Sequence, residues 1–104
     1  MIKLNNTFGN LTTEQFSLEV LVFLKGSRQT TSPEPIEQGI KALSIMFLGL
    51  QDKNDQCLKL FKAAIDAQIE FEKKYCTELL YSTDCVETRF ELSLESALSH
   101  EIIS

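Results

Sequence analysis

The stretch from Asp55 to Tyr81 constrains this chain more than any other. Stepped at about 100° per residue, Leu58, Leu60, Phe61, Ala64, Ile65, Ala67, Ile69, Phe71, Tyr75, Cys76, Leu79 and Leu80 fill an arc of roughly 220°. Lys59, Lys62, Asp66, Glu70, Lys73 and Lys74 take the remainder. A surface helix needs a much narrower apolar stripe, so this one belongs at the centre of an all-α fold. Over 55–81 it would run about 40 Å, whereas a compact chain of this size has a radius of gyration of only about 13 Å. A helix that long must kink or project, and projection implies a second subunit.

Three further helices surround it in the expected four-helix bundle. Thr12 and Gln15 have the spacing of a capping box, and Leu11 with Phe16 that of a hydrophobic staple. Phe16, Val20, Phe23 and Leu24 follow at helical intervals until Gly26, a plausible stop. A polar, flexible connection over 26–35 leads to prolines suited to a first helical turn. Ile36, Ile40, Leu43, Phe47 and Leu50 then form one stripe, and Gly39 and Gly49 imply close approach by a neighbour. Asp52 or Asn54 can cap the central helix. The last segment is double-valued. Val86, Thr88, Phe90, Leu92 and Leu94 alternate with polar residues as in a strand, which would make a short β-ribbon of 1–5 with 86–94. A lone two-stranded ribbon is marginal, however. Asp84 with Glu87 resembles a capping pair, and Val86, Phe90, Leu94 and Ala97 share a helical face, so a helix is expected. No repeat or internal boundary divides the 104 residues, which read as a single helical domain.

Several function classes lack their residues. No apolar run approaches the roughly 20 residues of a membrane span, and no apolar segment follows a basic start as in a signal peptide. A cytoplasmic protein is expected. Gly9, Gly26, Gly39 and Gly49 are isolated, so no phosphate-binding loop is present. Cys57, Cys76 and Cys85 lack metal-ligand spacing and read as reduced, buried thiols. With His100 the only histidine, neither metal, cofactor nor enzymatic chemistry is expected.

The 15 acidic and 10 basic residues are unevenly placed. From Glu78 onward there are six acids against Arg89 alone, so the whole net charge of −5 lies in the last quarter. No basic face is concentrated anywhere, which argues against direct nucleic-acid binding. Asp84, Glu87, Glu91 and Glu95 with Leu92 form the candidate contact for a partner protein bearing a basic surface. The same acids also suit a plain solvated face. Within the apolar arc of the central helix, Gln68 and Glu72 are the anomaly, since a carboxylate there must be paired or face an interface. With Tyr75 they could line a small-ligand site. An ion pair to Lys41 or Arg89, or a hydrogen bond at a dimer seam, would satisfy Glu72 as well. The leading expectation is a small acidic, non-enzymatic regulator or inhibitor of the antitoxin, adaptor or phage anti-defence type, occupying a partner's surface. The alternative is a homo-oligomer sequestering a small ligand between its helices.

Overall fold

The computed structural model describes residues 11–76 and 83–103, with side chains as far as Ser99. Four helices lie among the described residues: α1 (Thr13–Ser27), α2 (Pro33–Gly49), α3 (Asp55–Tyr75) and α4 (Val86–Ile103). They form an all-α bundle with no strand among the described residues. Helices α2 and α3 pack on each other and on both remaining helices, whereas α1 and α4 do not meet.

Local chemistry sets most of the boundaries. Thr12 Oγ1 accepts from the Gln15 N–H at 3.2 Å, and Gln15 Oε1 accepts from the Thr12 N–H at 3.0 Å, so the capping box is closed in both directions. Leu11 packs against the core cluster that contains Phe16. The connection to α2 is limited to residues 28–32, the outer positions of the expected 26–35 segment belonging to helices. Pro33 opens α2. Asn54 caps α3, its Oδ1 accepting from the Cys57 N–H at 3.0 Å.

Gly39 provides the close approach expected of it. The Phe23 ring of α1 lies where a β-carbon on Gly39 would be, 2.5 Å from its Cδ1. The core then closes around one phenylalanine from each helix: Phe16, Phe47, Phe61 and Phe90. Phe61 sits among the other three at centroid distances of 6.3, 5.3 and 5.3 Å. Such offset and edge-to-face contacts add to the area the rings bury.

Two expectations need correction. Helix α3 ends at Tyr75, with Cys76 in extended conformation, rather than continuing toward Tyr81; residues 77–81 lie outside the described residues. At about 1.5 Å per residue, α3 spans roughly 31 Å. The molecule extends 38 Å along its longest axis with a radius of gyration of 13.4 Å, so α3 fits within it and does not project. The geometric argument for a second subunit therefore falls. The β-ribbon alternative is also excluded over 86–94, where α4 is continuous; its partner stretch, 1–5, lies outside the described residues. The helix prevails because it pairs its own backbone groups while placing Phe90, Leu94 and Ala97 against α2 and α3.

Candidate functional site

The most polar part of the interior joins α3 to α4. Glu72 is 1% exposed and Arg89 0%, so both charges are withdrawn from water. Arg89 Nη1 donates to Glu72 Oε2 at 2.9 Å and Nη2 to Oε1 at 2.5 Å, a bidentate pair. The remaining edge of the guanidinium is held by the chain itself, with Nε donating to the Thr83 carbonyl at 2.7 Å. Of the two cations anticipated for Glu72, Arg89 meets it. One turn before Glu72, the buried Gln68 Oε1 has no partner among the described residues; one turn after Arg89, the same holds for Ser93 Oγ.

The proposed ligand-lining trio does not converge. Gln68 and Glu72 point into the core, whereas Tyr75 is about half exposed and stacks on Phe71 at a centroid distance of 4.9 Å. Tyr75 lines an open cleft of about 340 Å³ between the ends of α1 and α3, together with Leu24, Arg28 and Glu70. Neither Gln68 nor Glu72 reaches that cleft. The arrangement gives the carboxylate a structural partner in Arg89.

The acidic series is exposed, and its members differ in their neighbours. Asp84 lies 3.4 Å from Lys73 Nζ, and Glu87 lies 3.8 Å from Lys62 Nζ, so α3 supplies cations to the first two. Glu91 and Glu95 stand on the outer face of α4 with no ion pair among the described residues. Leu92 is not part of that stripe. It lies about 100° farther round the helix from Glu91 and is partly buried. The apolar member of the acidic face is Leu98, one turn beyond Glu95 and 46% exposed.

The cysteines separate by environment. Cys57 is buried, Cys76 partly so and Cys85 exposed, which corrects the expectation of three buried thiols. Cys85 precedes α4, its carbonyl accepting the Arg89 N–H at 3.0 Å. Hydrogen bonds from the Thr88 side chain, and then from the Thr88 backbone, hold its thiol below the usual range. No group of His, Cys, Asp and Glu able to hold a metal ion occurs among the described residues. None of the described helices is long and apolar enough to cross a membrane.

Sequence reasoning missed one feature outright. Leu18, Leu21 and Val22 are 62%, 54% and 66% exposed on the outer side of α1. The signal was present in the apolar run Val20 to Leu24, because five consecutive residues cannot all face inward from a helix packed on one side. No protein-family model, curated protein or solved structure matches this chain.

Proposed function

We propose that this protein is a non-enzymatic regulator that acts in the cytoplasm as a homo-oligomer and occupies a basic surface on a partner protein through the outer face of α4. The observation that carries the reading is the exposed acidic pair Glu91 and Glu95, without an ion pair among the described residues, with Leu98 beside it. An apolar contact flanked by charges of one sign favours a complementary surface and speeds its encounter. Glu87 extends the stripe, with part of its charge already answered by Lys62. Asp84 and Leu92, two members of the contact expected from sequence, contribute less. Asp84 faces Lys73, and Leu92 turns away from the acids.

The test begins with proteins that co-purify with the native chain and with its E91K/E95K variant. A partner retained only by the native chain is then purified and titrated against both. Affinity should fall by at least about tenfold, and the loss for the native pair on adding salt should be largely absent for the variant. Circular dichroism should be unchanged, since both residues are exposed. Equal affinity for both forms would overturn the reading.

A further inference from the structure

We infer that the outer face of α1 is a self-association surface on which a second copy of this chain lies antiparallel, α1 against α1. The inference deepens the homo-oligomeric part of the reading above and does not depend on α4. Along this face Glu14, Leu18, Leu21 and Lys25 succeed one another at intervals of 4, 3 and 4 residues. That is the alternation of d and a positions in a coiled-coil seam. All four are exposed. Glu14 and Lys25 form no ion pair among the described residues.

The order of charges selects the occupant. The face is acidic at its N-terminal end, apolar in the middle and basic at its C-terminal end. Turned about a two-fold axis through the midpoint between residues 19 and 20, it becomes its own complement. Glu14 then meets Lys25 of the second copy, Leu18 meets Leu21, and every pair occurs twice, as an isologous interface requires. A parallel pairing would set Glu14 against Glu14 and Lys25 against Lys25. Val22 widens the apolar centre toward a shallow groove lined by Phe23, Gly39, Ala42, Leu43 and Met46, with Glu19 at its rim, in which the flank of the second helix can rest. Three turns of helix make a contact at the small end of the interface range, where association is weak and reversible, so it is sought over roughly 10–500 µM protein.

Sedimentation velocity across that range, at low salt, provides the test. The native chain should dimerise, and L18S/L21S should remain monomeric with its circular dichroism intact. E14K and K25E should each weaken self-association by at least about tenfold, because each places like charges opposite one another twice. Two further results separate this geometry from simple damage to α1. The E14K/K25E double variant should regain the native affinity. An equimolar mixture of E14K with K25E should form a heterodimer although neither associates alone. A native dimer indifferent to all these changes would overturn the α1 surface and leave self-association standing. A native chain that stays monomeric throughout the range would overturn both.

Discussion

Adjacent residues of α4 fasten it to α3 by opposite means. Phe90 enters the aromatic cluster, 5.3 Å from the Phe61 ring and 5.7 Å from Phe47. Arg89, one position earlier, sends its guanidinium into the bidentate contact with Glu72. The rings gain from area removed from water and from dispersion, which tolerate small shifts in position. The ion pair must first overcome the loss of hydration of two charges, and its paired hydrogen bonds act only in a narrow range of orientations. The aromatic contact is therefore the source of stability, while the charged contact fixes how α4 is rotated and where it begins.

The sharpest way to break the comparison is to remove the centre of the aromatic side. Phe61→Ala leaves three rings around a hole that the bundle cannot close by moving one helix alone. The expected loss is toward the upper end of about 3–5 kcal/mol, measured by urea denaturation. That is a large share of the stability of an ordinary domain. A loss near 1 kcal/mol would mean that the four rings are not the core.

The charged side should respond differently to single and paired changes. Glu72→Gln keeps the shape and one acceptor but removes the negative charge from the bidentate contact with buried Arg89, so the expected cost is near the lower end of about 3–5 kcal/mol. Replacing both partners, as in E72L/R89M, removes the desolvation of both charges and should return stability to within about 1 kcal/mol of the native protein. The same double variant should broaden the amide resonances of α4, because the element that fixed its rotation is gone. If it is as unstable as the single variant with sharp resonances throughout, the division of labour drawn above fails.

These two contacts were not equally legible in the sequence. Phe16, Phe47 and Phe61 lie on apolar stripes whose helical period is unambiguous, so their helices and inward direction followed from spacing alone. The anomaly of Glu72 was equally visible, since a lone carboxylate in a wide apolar arc demands a partner. Its choice of Arg89 over Lys41 was not, because that depends on where α4 starts. The end of α3 was obscure for a related reason. Neither glycine nor proline marks Tyr75, and Arg89, the partner that holds Glu72, lies beyond that boundary in the sequence. Alternation over 86–94 imitated a strand because Arg89 and Ser93 face inward as polar residues, breaking the apolar period of α4. The exposed leucines of α1 show the reverse limit: periodicity shows that residues are apolar but not whether another surface covers them.

The smallest expected effect isolates burial as the variable. Asp84 and Lys73 also join α4's entrance to α3, at 3.4 Å, but their side chains retain 60% and 51% exposure. Both ions keep most of their hydration, so little is lost on forming the pair and little is gained. Asp84→Asn should cost no more than about 0.5 kcal/mol, and even that should fade as salt is raised. Comparing its denaturation midpoint with that of Glu72→Gln at two salt concentrations sets one carboxylate against another, each opposite a cation on the neighbouring helix. A salt-insensitive loss at Glu72 beside a salt-sensitive trace at Asp84 would assign the difference to desolvation. Equal losses would mean that burial does not distinguish the two pairs, and the contrast between a buried orienting contact and a surface one would have to be abandoned.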